Sequence, residues 1–237
     1  AEMEDPVALI GENGTGKSFF AQCIHNGSPR AKKPYIVINA GTIAQQDAAR
    51  VLFGSDDGAK PRMGLFELAG GGTIALQGLG DASEAFFSCL RQVLLQHSYF
   101  AVGGVTTIPF SARLLALVTP EERRRIPRDL WDQLSVFSLN LPLLKDRQED
   151  VSTLFRFFLL RESILMPPRT QKELEEILSF YSWPANLISL SAVSKRYILL
   201  YQQAMNPSPS AKQQILIRAI GEDELLSDIY RQYPALT

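Results

Sequence analysis

Short apolar runs alternate with longer amphipathic stretches over the first 145 residues of the chain. Between these runs, residues 17–25 and 84–95 carry apolar side chains three and four positions apart, which predicts helices with one buried face. The apolar runs have the length of strands and occupy residues 7–10, 35–39, 72–76, 113–118 and 134–139. This alternation is typical of a parallel sheet covered by helices, so the sequence predicts an α/β domain.

The pattern changes after about residue 148, where strand-length runs disappear and only helical periodicity remains. Residues 149–162, 171–181 and 187–203 are predicted to form helices, with prolines in the segments between them. Such a shift from mixed to helical character marks a domain boundary. We therefore expect an α/β domain over residues 1–145, a small all-helical domain over 146–205, and a linker with a C-terminal helical extension over 206–237.

Composition narrows the class of protein. Hydrophobic residues make up 46% and charged residues 21% of the 237, which is the balance of a globular domain. The formal net charge is −1, so the domain as a whole has no electrostatic attraction for nucleic acid. No apolar run approaches the roughly 18 residues of a membrane helix, and the acidic start of the chain does not resemble a signal peptide. With two cysteines at unrelated positions, we expect a cytoplasmic protein. Because a strand-length apolar run stands almost at the start of the chain, we expect the chain to be a central domain.

A glycine-rich loop directly follows the first apolar run and precedes the first predicted helix. It matches the G-x-x-x-x-G-K-[S/T] pattern in full, with Gly11, Glu12, Asn13, Gly14, Thr15, Gly16, Lys17 and Ser18. In such a loop the glycines let backbone N–H groups cradle phosphate oxygens, and the helix N-terminus adds its dipole. The lysine reaches the β- and γ-phosphates, and the serine hydroxyl is a ligand of Mg²⁺. The sequence therefore predicts a site for ATP or ADP with Mg²⁺, in which Ser18 contacts the metal.

The acidic strand that normally accompanies such a loop is missing. A phosphohydrolase of this kind needs an acid that holds the metal ion and a polar residue that positions the attacking water. The candidate strand at 72–76 is followed by Gln77 and Gly78, and the nearest acid, Asp81, comes four residues late. Because glutamine is uncharged and glycine has no side chain, we expect hydrolysis to be lost.

Several further motifs follow the glycine-rich loop in a recognisable order. They are the strand at 35–39, VLFG at 51–54, GLFELA at 64–69, GGT at 71–73, LPLLKDRQED at 141–150 and WPAN at 183–186. With these motifs the chain resembles, from residue 7 to about residue 200, the AAA+ domain of bacterial enhancer-binding proteins, the transcription activators of the NtrC type. The resemblance implies a three-layer α/β P-loop domain followed by a small helical lid.

The chain departs from that family's pattern at its functional positions. The substituted residues are Gln77 and Gly78 at the acidic pair, Thr119 at the sensor asparagine, Pro127 and Gln133 at the two arginines that act on a neighbouring subunit, and Ile188 at the lid arginine. Arg128 stands beside the first of the lost trans-acting arginines. The GAFTGA loop, which grips the alternative sigma factor, is reduced to residues 58–62, so the resemblance implies that this contact is lost.

Three functions remain open on the sequence. In the first, the chain is a regulatory module of a transcription factor, which binds nucleotide without hydrolysing it and forms a homo-oligomer, from a dimer to a hexamer. In the second, the chain is a slow ATPase in which Gln77, Thr119 and Arg128 replace the lost residues. In the third, it is a structural interaction domain that carries the loop as a relic.

The resemblance also implies partners and a second ligand. Some members of the family with similar losses respond to cyclic di-GMP, which makes this dinucleotide a second candidate ligand. A sensory domain is expected before the chain and a helix-turn-helix DNA reader after it. RNA polymerase is the expected protein partner, and no membrane contact is expected.

Overall fold

A computed structural model describes residues 4–56, 61–205 and 207–232. Within it the chain divides into two compact units. The first unit contains Gly16–Leu141 together with the residues up to Glu12. The second begins at Pro142 and also includes Asn13–Thr15, the tip of the glycine-rich loop. The division after Leu141 lies close to residue 145, the end of the α/β domain expected from the sequence.

The first unit is organised by a parallel sheet. The described residues form the strands β1 (Val7–Ile10), β2 (Tyr35–Asn39), β3 (Gly54–Ser55), β4 (Arg62–Met63), β5 (Thr73–Gln77), β6 (Ser98–Phe100), β7 (Thr107–Pro109), β8 (Arg113–Val118) and β9 (Phe137–Asn140). Five of them form one sheet in the order β2-β5-β8-β1-β9, in which all neighbours are parallel. β3 with β4 and β6 with β7 form short antiparallel pairs. The parallel sheet confirms the α/β class expected from the sequence.

Helices cover both faces of this sheet. The helices of the first unit are α1 (Lys17–Asn26), α2 (Ala48–Phe53), α3 (Leu65–Ala69), α4 (Glu84–Gln96), α5 (Pro120–Arg125) and α6 (Arg128–Leu134). On one face, strand residues such as Ala8 and Leu114 share a core with the buried sides of α2, α4 and α6. On the other face, Leu9 and Leu115 pack with Ala21 of α1. Burial on both faces explains why the central strands read as continuous apolar runs.

The last strand of the sheet begins later than the sequence pattern predicts. The apolar run at 134–139 predicts a strand, but Leu134 ends α6 and is fully buried there. Leu130, four positions earlier on the same helix, is also fully buried, so the side chain of Leu134 completes a helical face. Only Phe137–Asn140 pairs with β1. The strand predicted at 72–76 is likewise shifted by one residue, since Thr73–Gln77 pairs with β2.

From Pro142 onward, the described part of the second unit contains helices and no strand. Its described helices are α7 (Gln148–Arg161), α8 (Pro168–Ser179), α9 (Leu187–Gln203), α10 (Pro209–Ile220) and α11 (Glu222–Gln232). Buried residues including Phe155, Leu174 and Leu190 form a core of their own. Leu216 and Ile220 of α10 are fully buried in the same core. The C-terminal helices therefore share the core of the helical unit, whereas the sequence pattern sets residues 206–237 apart.

The helices are short relative to a lipid bilayer. The longest of the described helices, α9, has 17 residues and carries Lys195 and Arg196 near its middle. Among the residues that the structure describes, no helix combines the length and the apolar character needed to cross a membrane.

Tyr99 of β6 is a fully buried tyrosine whose hydroxyl has no hydrogen-bond partner among the described residues. Burial, reinforced by the carboxylate of Glu67, raises the pKa of this hydroxyl to about 12. The unfolded chain ionises its tyrosines near pH 10, so stability is unaffected below that pH and falls as the pH rises from about 10 to about 12. We expect Tyr99→Phe to leave the free energy of unfolding unchanged or slightly higher at pH 7. The same substitution should reduce the loss in the free energy of unfolding between about pH 10 and about pH 12 by about 2–3 kcal/mol.

Urea denaturation of both proteins between neutral pH and about pH 12 measures this difference. Burial also raises the pKa of Tyr181 and Tyr197, so the variant will still lose part of its stability. Parallel stability curves for the two proteins would contradict a buried, protonated Tyr99 hydroxyl.

Candidate nucleotide-binding site

The glycine-rich loop leaves the carboxyl end of β1 and enters α1. β1 lies between β8 and β9, and its Ala8 and Leu9 are fully buried, so the sheet fixes the start of the loop. Gly16 is the N-cap of α1 and has a φ of 102°, a left-handed conformation that favours glycine. Because this N-cap is a glycine, it supplies no side-chain hydrogen bond to the helix. Its first N–H groups therefore remain available to an anion.

Lys17, the first residue of α1, turns its ammonium group back onto the loop. Nζ donates to the carbonyl oxygens of Gly11 at 2.7 Å and Glu12 at 3.1 Å. Partial burial lowers the pKa of Lys17, and the carboxylates of Glu122 and Glu12 oppose this shift. The ammonium group thus lies at the loop, held by neutral carbonyl oxygens. Phosphate oxygens would make stronger, charge-assisted hydrogen bonds to the same group.

The end of β5 lies beside the start of α1. Gln77, the last residue of β5, donates a hydrogen bond from Nε2 to the hydroxyl of Ser18 at 3.0 Å. The structure therefore places Ser18, the predicted ligand of Mg²⁺, beside Gln77, which occupies the position of the lost acid. The late acid Asp81 has another partner, since its carboxylate accepts a hydrogen bond from Arg125 at 2.6 Å in an exposed ion pair.

Gly78 follows Gln77 in the left-handed conformation, with φ 63° and ψ 29°. A β-carbon at this position would lie 2.5 Å from Oδ1 of Asn39 and 3.3 Å from the backbone nitrogen of Gly41. Position 78 thus lacks an acid, and both its backbone and its surroundings suit glycine. Asn39, at the end of β2, is a neighbour of the site that the sequence pattern did not identify as functional.

Thr119, at the end of β8, is the N-cap of α5. Its hydroxyl accepts a hydrogen bond from the N–H of Glu122 at 3.1 Å, and the carboxylate of Glu122 accepts one from the N–H of Thr119 at 2.7 Å. This reciprocal pair is a capping box, so the Thr119 hydroxyl already serves the helix. Glu122, which also acts electrostatically on Lys17, was missed on the sequence. The spacing of Thr119 and Glu122 is the signal that identifies the cap.

With this geometry established, comparison with known proteins identifies the family. Residues 1–140, more than half of the chain, match the family described as the sigma-54 interaction domain. The chain belongs to the sigma-54 interaction domain family. This membership confirms the resemblance to enhancer-binding regulators that the sequence motifs carry.

Relatives and solved structures agree with this membership. The DNA-binding transcriptional activator HyfR of Escherichia coli K12 is 33% identical over 95% of this chain and 36% of its own length. The transcriptional regulator NtrC of Rhizobium meliloti is 32% identical over 94% of this chain and 46% of its own. The crystal structure of NtrX from Brucella abortus in complex with ADP has a TM-score of 0.70 and 26% identity, covering 84% of this chain and 46% of that one. The chain thus spans less than half the length of these three proteins, and the NtrX likeness confirms the expected AAA+ fold.

The remaining departures from the pattern of the sigma-54 interaction domain lie at α6, on α9 and in the shortened sigma-factor loop. Pro127 immediately precedes α6, and Gln133 is half-buried within it. Arg128 is the exposed first residue of α6. In the second unit, Ile188 lies on α9 and is 61% exposed. Of the shortened sigma-factor loop, residues 58–60 lie outside the described residues.

Restoring the acidic pair at positions 77 and 78 tests whether the expected loss of hydrolysis has causes beyond these two side chains. We expect the double variant Gln77→Asp with Gly78→Glu to release phosphate no faster than the wild type. A glutamate at 78 meets the side chain of Asn39 and requires a left-handed backbone, which costs about 1–2 kcal/mol. Phosphate release and urea denaturation measure the two effects.

The single variant Gly78→Ala separates the backbone cost from the effect of the charge. We expect it to account for most of the loss in the free energy of unfolding. A tenfold or greater rise in phosphate release by the double variant would show that the acidic pair alone limits hydrolysis.

Proposed function

We propose that the chain is the central regulatory module of a bacterial transcription regulator, which binds ATP or ADP with Mg²⁺ through residues 11–18 and has lost hydrolysis. The observation that carries the proposal is the contrast between Lys17 and Gln77. The ammonium group of Lys17 lies at the glycine-rich loop, at the uncapped N-terminus of α1. The residue that meets Ser18 from β5 is the neutral Gln77, and glycine follows it. The first feature supports phosphate binding, and the second argues against water activation.

The loss of further groups supports the absence of turnover. An arginine supplied to the γ-phosphate contributes about three to five orders of magnitude in rate. The positions at which the family carries such arginines hold Pro127 and Gln133, and the position of the lid arginine holds Ile188. The hydroxyl of Thr119 serves a helix cap. Binding without hydrolysis makes the module a switch that is set by which nucleotide occupies it.

The oxygen donors near the loop fit Mg²⁺ only when phosphate is also present. Mg²⁺ prefers oxygen ligands and is usually held by one or two carboxylates together with substrate phosphates. The hydroxyl of Ser18 and the amide of Gln77 are both neutral. The part of the chain that the structure describes contains no group of His, Cys, Asp and Glu side chains suited to a metal. Ser18 would therefore hold Mg²⁺ with the phosphates, and the ion would neutralise their charge.

The proposal extends to the partners of the whole protein. We infer a homo-oligomer, from a dimer to a hexamer, which acts on DNA through a helix-turn-helix domain outside this chain and on RNA polymerase. The shortened loop at 58–62 supports regulation without remodelling of the alternative sigma factor. Cyclic di-GMP is proposed as a second ligand on the family resemblance.

Titration calorimetry with ATP, ADP and cyclic di-GMP, each with Mg²⁺, tests the proposal when phosphate release is followed in the same samples. We expect micromolar binding of ATP or ADP and phosphate release no faster than in buffer. A heat signal with cyclic di-GMP would identify it as a ligand. The absence of binding by all three at micromolar concentrations would overturn the proposal.

A slow ATPase is the second candidate, and the hydrogen bond from Gln77 to Ser18 favours it. This contact places an amide beside the expected metal ligand, where it can orient a metal-bound water. Steady phosphate release that disappears in Lys17→Ala would support the ATPase over the switch.

A further inference from the structure

The tip of the glycine-rich loop is held by three hydrogen bonds to three consecutive carbonyl oxygens, all within the second unit. Nδ2 of Asn186 donates to the carbonyl of Asn13 at 2.9 Å. The backbone N–H of Leu187 donates to the carbonyl of Gly14 at 3.0 Å. Nη2 of Arg147 donates to the carbonyl of Thr15 at 2.6 Å. No carbonyl oxygen of the tip, residues 13–15, is left without such a donor.

The donors are themselves fixed by their surroundings. Asn186 is 4% exposed, and its Oδ1 accepts a hydrogen bond from the N–H of Leu144 at 2.8 Å. Its backbone has a φ of 52° and a ψ of −127°, a conformation that disfavours every residue except glycine. Strain of this kind persists where the surroundings require one particular side chain. Arg147 is held through Nη1, which donates to Asp150 at 3.3 Å.

The direction of a carbonyl fixes the direction of the next N–H. In a trans peptide the C=O and the following N–H lie in one plane and point in opposite directions. Holding the carbonyls of Asn13, Gly14 and Thr15 toward Asn186, Leu187 and Arg147 turns the N–H groups of Gly14, Thr15 and Gly16 the other way. Successive N–H groups that point to one side form the concave nest that binds phosphate oxygens.

We propose that Asn186 and Arg147 are positioning residues of the phosphate site, which hold the loop tip so that its N–H groups point to the bound phosphate. The inference rests on the proposed function, because it concerns the same loop. It adds two residues from the lid portion of the chain, 132 and 173 positions away from the loop residues they contact. Both residues donate to carbonyl oxygens of the loop, so their effect is expected on nucleotide affinity through the preorganisation of the loop.

The alternative is that these contacts only stabilise the fold. The two possibilities predict different nucleotide affinities for variants that are fully folded. Removing a purely structural contact leaves that affinity unchanged, whereas removing a positioning contact lowers it. Asn186→Gly suits the strained backbone and removes the carboxamide. Arg147→Met keeps the length of the side chain and removes the donor, at a residue whose side chain is 17% exposed. Tyr181→Phe is the matched control, since it removes a 2.7 Å hydrogen bond to Glu224 elsewhere in the second unit.

The experiment measures the dissociation constant of ADP with Mg²⁺ by calorimetry, at a temperature where melting curves show all variants folded. We expect Asn186→Gly and Arg147→Met each to weaken ADP binding about tenfold or more, and Tyr181→Phe to stay within about twofold of the wild type. Arg147→Lys, which retains a donor, should recover part of the affinity.

Two outcomes separate this inference from the proposed function. If the wild type binds ADP and both Asn186→Gly and Arg147→Met bind it within about twofold, the positioning role is wrong and the proposed function stands. If the wild type does not bind ADP, ATP or cyclic di-GMP, the proposed function fails and this inference fails with it. Should Asn186→Gly not fold, Arg147→Met with its lysine counterpart decides the question.

Discussion

Replacing Lys17 by methionine is expected to weaken ATP and ADP binding by about a hundredfold or more. The ammonium group lies at the loop with two carbonyl oxygens as its partners, at 2.7 Å and 3.1 Å. Exchanging these neutral partners for phosphate oxygens creates charge-assisted hydrogen bonds worth about 1.5–3 kcal/mol each, and two of them correspond to this factor. Methionine preserves the length of the side chain and removes the charge. Titration calorimetry with each nucleotide measures the effect.

The stability of the ligand-free protein should change little in the same variant. Lys17→Met loses two hydrogen bonds, but it also removes a charge whose partial burial is unfavourable, as the lowered pKa of Lys17 indicates. Lys195→Met, on the exposed side of α9, removes the same charge and serves as the control. Equal affinities for wild type and Lys17→Met would mean that the loop is a relic and that any ligand binds elsewhere.

The elements that build the site could be predicted because their signals are local. β1 is an apolar run buried on both faces, and the loop after it carries glycine where the structure has φ values of 78° at Gly14 and 102° at Gly16. α1 begins at the residue expected from the pattern, Lys17. Each of these features depends on residues within a few positions of one another. A single sequence is sufficient to read them.

The error at the last strand has a physical cause in the same local signals. The run at 134–139 is mostly apolar and has the length of a strand, which is why the sequence predicts one. Leu134 nevertheless belongs to the buried face of α6, while Val136, Phe137 and Leu139 are 51%, 39% and 49% exposed. Hydrophobicity alone therefore did not distinguish the buried end of α6 from the largely exposed edge strand β9. The pairing of Phe137–Asn140 with β1 decides the boundary.

The contacts of the site that could not be predicted join distant parts of the chain. The loss of the acid at Gln77 and Gly78 is visible in the sequence, but the closeness of Asn39 to Gly78 appears only when β2 and β5 are paired. The hydrogen bonds from Asn186 and Arg147 to the loop tip depend on how the second unit folds. Periodicity carries no information about such contacts, since it reports only which face of an element is buried.

The proposed function assigns binding and hydrolysis to different residues of the molecule. Under that proposal, the backbone of the loop, Lys17 and the donors to the loop tip serve the phosphates of a bound nucleotide. The positions that differ from the family pattern would serve the attacking water and the γ-phosphate, and they lie on other elements: Gln77 at the end of β5, Gly78 after it, Gln133 on α6 and Ile188 on α9. Because the two sets do not share residues, the second can be lost without the first.

Gly14→Ala is expected to disrupt nucleotide binding by about a hundredfold or more and to lower the free energy of unfolding by about 2–4 kcal/mol. Gly14 has a φ of 78°, which an alanine adopts only with strain. A β-carbon there would also lie 2.3 Å from the carbonyl oxygen of Ala185, so the backbone itself has to move. That movement breaks the hydrogen bond from the N–H of Leu187 to the carbonyl of Gly14 and turns the following N–H away from the phosphate. Calorimetry with ADP and urea denaturation measure the two losses.

Gly70→Ala separates backbone strain from the steric clash. Gly70 also has a positive φ, 49°, but the nearest atom to its β-carbon is the Glu67 carbonyl oxygen at 3.8 Å. Its alanine variant should therefore lose about 1–3 kcal/mol of stability through backbone strain alone and bind ADP like the wild type. If Gly14→Ala retained the affinity of the wild type, the direction of the N–H groups at the loop tip would not limit binding. If Gly14→Ala lost affinity but no more stability than Gly70→Ala, the loss of binding would come from the geometry of the loop alone.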